Sequence, residues 1–247
     1  MEDMGDLPSL KTWLQTTSTA GQITSIGRTL GMYLANLHNE ATVESWVDGT
    51  ACSNVVGRNL SSSVYFGGLA AAAAKYGYTD SWIATAANAA MVEVLTANEV
   101  WTIGDFWTGN VLISAPEDQS APKLAVLDFE LAKPGTAAFD VGQMAAEMLC
   151  LAHFRCPEQA HLLLRTFFEA YRAERKTSVD AAAVAIRIGA HFFTIMPRAW
   201  MPEFGETKVR LALEQGFELL KIGWERDEAA LRKSIVGVLM EQSGRTN

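Results

Sequence analysis

Residues 101–142 constrain this chain more than any other segment, because polar side chains there alternate with two short apolar runs. The runs, 110–114 and 123–128, have the length and the apolar character of β-strands. The polar, proline-containing segment 115–122 between them is typical of a connecting turn. The sequence therefore predicts a β-hairpin at this position.

Three polar side chains are expected at the open end of this hairpin. Asn110 begins the first strand and Asp128 ends the second, so pairing of the strands brings the two together. Asp105 lies on the loop that leads into the first strand and should lie over the same opening. Phosphoryl transfer requires a carboxylate that orients an attacking hydroxyl and accepts its proton, and oxygen ligands for Mg²⁺. The arrangement suits that chemistry.

The motifs resemble those of a known family. Residues 103–110, Ile-Gly-Asp-Phe-Trp-Thr-Gly-Asn, resemble the His-Gly-Asp-x₄-Asn loop of the aminoglycoside phosphotransferase and choline kinase group. Residues 127–130, Leu-Asp-Phe-Glu, resemble its Ile-Asp-Trp-Glu, and residues 139–142, Phe-Asp-Val-Gly, its Phe-Asp-x-Gly. Residues 30–38 resemble the Leu-Gly-x-x-Leu-Ala-x-Leu-His helix of the larger lobe of that group.

The resemblance implies a fold and a set of roles. The fold would be α+β and mainly α-helical, the C-terminal lobe of a protein-kinase-like fold over residues 1–247, with the hairpin carrying the catalytic and metal loop. Asp105 would be the catalytic base, and Asn110 and Asp128 would hold Mg²⁺ and, through it, ATP. Asp140 would support the loop structurally.

Some roles near these motifs stay open. Asp140 either accepts N–H groups of its own helix or holds the catalytic loop from behind. Glu130 is either a neighbour of the metal site or a solvated side chain. Ile103 stands where the group has His; it can fill the space but cannot form the hydrogen bond. His38 is interpreted as a structural residue at a helix end, and His191 as a core residue.

Apolar residues that recur at steps of three and four predict a helical bundle. A short helix begins within residues 7–13. Longer helices are predicted at 21–38, 64–76, 82–97, 139–153, 157–174, 179–196, 208–225 and 227–241. Residues 40–63 are interpreted as irregular, 134–135 as the end of an extended segment, and 197–205 as a break in the bundle. In that break, Trp200 and Phe204 either line a substrate pocket or pack as in an ordinary loop.

Composition limits the function classes. Of the 247 residues, 49% are apolar and 19% are charged, which is enough apolar material for a sizeable core. The net charge of −8 argues against sequence-independent binding of nucleic acid. No apolar run reaches the length of about 18 residues that a membrane span needs. The acidic N-terminus does not resemble a secretory signal, and Cys52, Cys150 and Cys156 form no metal-spaced pair, so a cytoplasmic protein with reduced thiols is expected.

One part of a kinase is not recognisable. Before the first long helix the chain has one lysine, Lys11, and no Gly-x-Gly-x-x-Gly loop, so the N-terminal β lobe is predicted to be absent. A partner or a missing N-terminal segment would then complete the ATP site.

Three hypotheses follow. The first is a kinase that phosphorylates a hydroxyl of a small molecule, the acceptor being undetermined. The second is a truncated or catalytically dead lobe that acts as a binding module. The third, a Mg²⁺-dependent hydrolase using Asp105 and Asp128, ranks last because the spacing to Asn110 favours a kinase.

Overall fold

The structure, a computed structural model, describes residues 6–16, 19–40, 53–114 and 123–240. Within those ranges the chain is mostly helical, as predicted. The α-helices are α1 (Leu10–Leu14), α2 (Ala20–Glu40), α3 (Val55–Ser62), α4 (Leu69–Ala74), α5 (Ser81–Thr96), α6 (Ala137–Phe154), α7 (Pro157–Glu174), α8 (Ala181–Thr194), α9 (Met196–Glu225) and α10 (Glu228–Lys233). A π-helical turn covers Ser63–Gly67, and a 3₁₀ helix covers Ile235–Leu239.

Two small antiparallel sheets lie between α5 and α6. The first pairs β2 (Val111–Ser114) with β3 (Lys123–Val126), with Val111 opposite Val126. The predicted hairpin strands are therefore present and paired, and their connection, residues 115–122, lies outside the described residues. The structure thus brings the residues that flank the hairpin to one end.

The second sheet was not expected from the sequence. It pairs β1 (Val100–Thr102) with β4 (Lys133–Gly135), and Trp101 lies opposite Pro134. The prediction that residues 134–135 end the extended segment is confirmed, because β4 ends at Gly135 and α6 begins at Ala137. Proline is tolerated here because the sheet has only two strands, and Pro134 needs no partner for an N–H on its outer side. The pairing fixes the chain on both sides of the candidate loop.

Helix α6 is the central element. All of its residues except His153 are buried, so it is enclosed by the rest of the protein around nearly its whole circumference. It packs against α7 and α8, and α8 packs along α9. Because α6 follows β4 directly, its N-terminal turns lie behind the loop that joins β1 to β2.

Helix α2 packs along α7 at very short distance. A Cβ atom on Gly31 would lie 2.5 Å from the carbonyl oxygen of Phe167, so only glycine allows this approach. The close contact places His38, near the end of α2, within reach of α6 and α7.

The segment before α2 lies beside the hairpin. Ser9 caps α1 by accepting the N–H of Thr12 at 3.2 Å. Ser9 also forms an isolated bridge with Leu112, and the N–H of Ile113 donates to the carbonyl of Pro8 at 3.0 Å. Residues near position 10 are thereby fixed next to the candidate site.

Two segments that were interpreted as irregular are helical. Within 40–63, residues 55–62 form α3, whose N-cap Asn54 accepts the N–H of Gly57 at 2.9 Å. Residues 41–52 lie outside the described part of the chain. The predicted break at 197–205 is confirmed only at Gly205 (φ 76°), whose non-helical backbone interrupts α9; residues 196–204 are helical, with Pro197 in the first turn, where proline is favourable.

Two predicted helices are divided. Residues 64–76 form the end of a π-helical turn followed by α4, and residues 227–240 form α10 followed by a 3₁₀ helix, with Ser234 extended between them; residue 241 lies outside the described part of the chain. Among the described residues, no helix combines the length and the apolarity that crossing a bilayer would demand.

Candidate active site

The candidate loop, residues 103–110, joins β1 to β2 and turns sharply at its start. Gly104 has φ +84°, a conformation that side-chain-bearing residues rarely adopt. A Cβ at this position would also collide with the carbonyl of Leu131. Ile103 is 1% exposed and fills the space behind the turn. The backbone of the loop is therefore determined by β1, β4 and this glycine.

Asp140 on α6 binds the beginning of this loop. Its Oδ2 accepts the N–H of Ile103 at 2.7 Å, and its Oδ1 accepts the N–H of Gly104 at 3.0 Å. Asp140 was expected either to accept N–H groups of its own helix or to hold the loop from behind. These two hydrogen bonds go to the loop, so Asp140 holds the loop. These bonds stabilise a carboxylate that is completely buried.

His38, on α2, also contacts Asp140. Its Nε2 lies 3.4 Å from Asp140 Oδ2, and its Nδ1 lies 2.8 Å from the hydroxyl of Tyr171. A neutral imidazole with its proton on Nε2 satisfies both contacts, donating to the carboxylate and accepting from the tyrosine. His38 is thus a buried structural residue, and it supports the loop through Asp140.

Asp105 lies on the loop with both carboxylate oxygens in contact with amide donors. Asn110 Nδ2 donates to Oδ2 at 3.2 Å and to the Asp105 carbonyl at 3.1 Å. Gln143 Nε2 donates to Oδ1 at 2.8 Å. Burial raises the pKa of the Asp105 carboxyl above its ordinary value; the Gln143 amide opposes this shift and the charge of Asp128 adds to it.

Gln143 and its neighbour Tyr65 were not identified from the sequence. Gln143 also donates to the Tyr65 hydroxyl at 2.7 Å and accepts the N–H of Phe106 at 3.1 Å. One signal could have found Gln143: it follows Asp140 by three residues on a helix and therefore lies on the same helical face. Tyr65 is distant in sequence, and no local pattern identifies it.

Asn110 and Asp128 flank the same end of the hairpin. The N–H of Leu127 donates to the Asn110 carbonyl at 2.9 Å, so the residue before Asp128 is bound to Asn110. Asp128 is exposed and has a left-handed backbone, φ 61°. Because Asn110 directs Nδ2 to Asp105, its Oδ1 is the atom available to a metal.

This donor set fits Mg²⁺. Mg²⁺ prefers oxygen ligands and is usually bound by one or two carboxylates together with phosphates and water. No group of three or more His, Cys, Asp or Glu side chains within residues 6–16, 19–40, 53–114 and 123–240 has the geometry of a metal site. The amide and carboxylate pair thus matches a metal that is shared with substrate phosphates.

Two further residues follow Asp128. Glu130 has an exposed side chain, and its carbonyl accepts Asn54 Nδ2 at 3.0 Å. Lys133 is 1% exposed; its Nζ donates to the Leu131 carbonyl at 3.2 Å and lies 4.5 Å from the ring centroid of Phe139. Burial lowers the pKa of Lys133 to about 8, against the opposing charge of Asp140. A buried lysine behind the loop was not predicted.

Aromatic rings and a lysine border the other side of the loop. Lys11 Nζ lies 5.7 Å from the ring centroid of Trp107 and 4.7 Å from that of Trp200. Lys11 is positioned there by its backbone N–H, which donates to the Thr108 carbonyl at 3.0 Å. Trp200 is buried and stacks on Phe154 with a centroid distance of 4.9 Å. Trp200 is thus part of the packing of α9, with one face towards Lys11.

Cavity size does not locate the site. Two clefts in the described part of the chain, of about 910 and 680 Å³, are lined by the segment between α7 and α8 and by residues of the neighbouring helices. None of the four residues proposed from the sequence borders them. The chemistry of the loop locates the site more directly, because phosphoryl transfer depends on the placement of charges.

The sequence is similar to those of known proteins over most of its length. Residues 9–178 match the sequence profile of a family described as "Phosphotransferase enzyme family". A 4-hydroxytryptamine kinase of Psilocybe cubensis is 27% identical over 203 residues, which cover 77% of this chain and 54% of the relative. A 4-hydroxytryptamine kinase of Psilocybe cyanescens is 24% identical over 251 residues, which cover 100% of this chain and 68% of the relative. The chain thus spans about half the length of the first relative.

Proposed function

Because the chain belongs to the phosphotransferase enzyme family, we propose that it transfers the γ-phosphate of ATP to a hydroxyl of a small molecule. One observation carries the proposal: the carboxylate of Asp105 is bound by an amide on each oxygen, at the mouth formed by Asn110 and Asp128. A carboxylate in that position can accept the proton of an attacking hydroxyl.

In the proposed reaction, Asp105 orients the acceptor hydroxyl and takes its proton as the oxygen attacks the γ-phosphorus. The new P–O bond forms while the bond from the γ-phosphorus to the bridging oxygen breaks, and ADP leaves with the electron pair. Asn110 and Asp128 would hold Mg²⁺, which supplies charge neutralisation for the phosphates. Asp140 keeps the start of the loop in place through the N–H groups of Ile103 and Gly104.

We also propose that a further element, from a preceding segment or a partner chain, covers the nucleotide on the side opposite the hairpin. Leu127 and Phe129, on either side of Asp128, are 37% and 47% exposed. On α3, Val55 and Val56 are exposed as well. Apolar side chains that are exposed together are typical of a surface that another element covers.

The acceptor class is proposed from the relatives and from the side chains beside the loop. Both relatives are named as kinases of 4-hydroxytryptamine, so this compound is the first acceptor to test. Trp107 follows Asp105 on the loop and is half-buried, so its indole can contact an acceptor bound at the base. An aromatic hydroxyl compound would stack on such a ring.

A thermal-unfolding scan with and without Mg²⁺ and ATP tests the binding half of the proposal. A ligand that binds only the folded state raises the melting temperature by mass action. We expect a Mg²⁺-dependent rise with ATP that is lost in Asp128→Ala. Asp180→Ala, which removes an exposed carboxylate that forms an ion pair with Arg226 and caps α8, serves as the control and should keep the rise. A wild-type chain with no shift at millimolar ATP would favour the binding-module hypothesis.

A further inference from the structure

We propose that Gln143 is a positioning residue that fixes the carboxylate of Asp105 for proton transfer. The inference rests on the phosphotransferase function proposed above and adds a residue that lies outside the loop motifs. Gln143 is on α6 and is 6% exposed. Its amide is therefore nearly cut off from solvent, and its polar atoms need partners inside the protein.

The Gln143 amide contacts the loop through both of its polar atoms. Its Oε1 accepts the backbone N–H of Phe106 at 3.1 Å, and its Nε2 donates to Asp105 Oδ1 at 2.8 Å. One side chain thus binds the base itself and the peptide that follows the base. A single hydrogen bond would leave the carboxylate free to rotate, whereas this two-point contact restrains both the side-chain torsions of Asp105 and its main chain.

Tyr65 gives the Gln143 amide a further fixed contact. The second hydrogen of Nε2 is donated to the Tyr65 hydroxyl at 2.7 Å. The Tyr65 ring packs edge-on against Phe139, with centroids 5.5 Å apart, and stacks on His191 at 6.3 Å. The hydroxyl is therefore fixed by packing. A flipped amide would direct its oxygen at the Asp105 carboxylate and its NH₂ at the Phe106 N–H, so both contacts with the loop would be lost.

Gln143 and Asn110 both bind Asp105, but they differ in whether bound substrates would disturb that contact. Asn110 also donates to Asp105, but it borders the open mouth where the nucleotide and its metal are proposed to bind. Gln143 lies behind the loop and touches neither, so it holds Asp105 before substrates arrive. Preorganisation of this kind lowers the barrier, because a catalytic group that is misplaced by about 1 Å can cost about 100-fold in rate.

The kinetic test compares wild type with Gln143→Leu, which keeps the volume and removes every polar atom. We expect kcat to fall about 10- to 100-fold, with KM for ATP and for 4-hydroxytryptamine changed less than about twofold. Tyr65→Phe, which keeps the ring and removes the hydroxyl, should lower kcat in the same way but less. In an Asp105→Ala background, Gln143→Leu should cause no further loss, because the group that it positions is gone.

Thr102→Val is the matched control. Thr102 is buried on β1, and its hydroxyl donates to the Lys133 carbonyl at 2.8 Å without touching Asp105. Thr102→Val should lower the free energy of unfolding and leave kcat nearly unchanged. An equal loss of kcat in Thr102→Val and Gln143→Leu, or a full additional loss from Gln143→Leu in the Asp105→Ala background, would overturn the proposal in favour of general loosening of the loop.

Amide hydrogen exchange measured by NMR tests the contact without any activity. In Gln143→Leu, the Phe106 amide should exchange at least about tenfold faster than in wild type, because the side-chain oxygen that accepts its N–H is removed. The amides of Ile103 and Gly104 bind Asp140 instead and should stay slow. Unchanged exchange at Phe106 overturns the proposal even if transfer is observed. A wild type that transfers no phosphate while Phe106 responds as expected removes the proposed function and the positioning role, and leaves the contact established.

Discussion

Replacing Lys133 with methionine should stabilise the protein at neutral pH. Lys133 is buried against Phe139, and its ammonium has a single hydrogen bond, to the Leu131 carbonyl, among the contacts in the described residues. Burial lowers its pKa from 10.5 to about 8. This difference corresponds to a penalty of about 3 kcal/mol for keeping the charged form in the folded state.

The sign of the pH dependence follows from proton uptake. Below pH 8 the lysine is protonated in both states, and the full penalty is present. Between pH 8 and 10.5 the unfolded chain binds a proton that the folded protein has lost, so the contribution of Lys133 to stability rises with pH. Methionine has a similar length and no charge, and it forfeits about 1 kcal/mol for the lost hydrogen bond. Lys133→Met should therefore be more stable than wild type by about 2 kcal/mol at pH 7, and the advantage should vanish near pH 10.

Urea unfolding followed by tryptophan fluorescence at pH 7, 8.5 and 10 measures this difference. Lys233→Met, which changes an exposed lysine at the end of α10, is the matched control and should differ little from wild type at each pH. The reasoning would be refuted by a Lys133→Met variant that is less stable than wild type at pH 7. A stability difference that does not change between pH 7 and 10 would refute it as well.

Four other predictions concern the loop. Asp140→Ala leaves the N–H groups of Ile103 and Gly104 and the ring of His38 without their buried acceptor, so it should cost about 3–5 kcal/mol of unfolding free energy. Asp140→Asn should cost less, because one oxygen remains. In urea unfolding, a loss below about 1 kcal/mol for the alanine variant would contradict this. Gly104→Ala should cost about 2 kcal/mol or more, since the backbone is left-handed and the carbonyl of Leu131 occupies the space for a Cβ, and Gly68→Ala, where the space is open and φ is negative, is its control in the same assay. Because burial raises the pKa of Asp105, kcat/KM should fall with decreasing pH at a pH above the ordinary Asp range, and a fall at the ordinary Asp value would argue against its role as the base. Trp107→Leu should raise KM for 4-hydroxytryptamine several-fold with a smaller change in kcat, and an unchanged KM would argue against stacking of the acceptor on this ring.

The hairpin and the loop that leads into it could be predicted from the sequence because local signals specify them. Short apolar runs with polar ends indicate strands, and the positions of Asn110 and Asp128 at those ends imply their proximity once the strands pair. The helices from α5 to α8 were predictable for a similar reason, since their apolar residues repeat with helical period.

The contacts that complete the site join residues that are distant in sequence, and of these residues Tyr65 carries no local signal. Tyr65 and Gln143 are separated by 78 positions, and only the folded bundle brings them to Asp105. The pairing of β1 with β4 was missed because Lys133 and Pro134 do not have the composition of a strand, and tertiary contacts override that propensity. For the same reason Pro197 was interpreted as a break, although it lies in the first turn of α9, where its ring fits.

The most direct test of the proposed function is the transfer of labelled γ-phosphate from ATP to 4-hydroxytryptamine, with Mg²⁺, by wild type and by Asp105→Asn. The side-chain amide of asparagine keeps the size of the carboxylate but cannot accept the hydroxyl proton. We predict a phosphorylated acceptor with wild type, and a loss of at least about 100-fold in Asp105→Asn with the fold unchanged by circular dichroism. Equal transfer by the two proteins would contradict the role of Asp105, and no transfer to this or any other hydroxyl acceptor by wild type would contradict the phosphotransferase function itself.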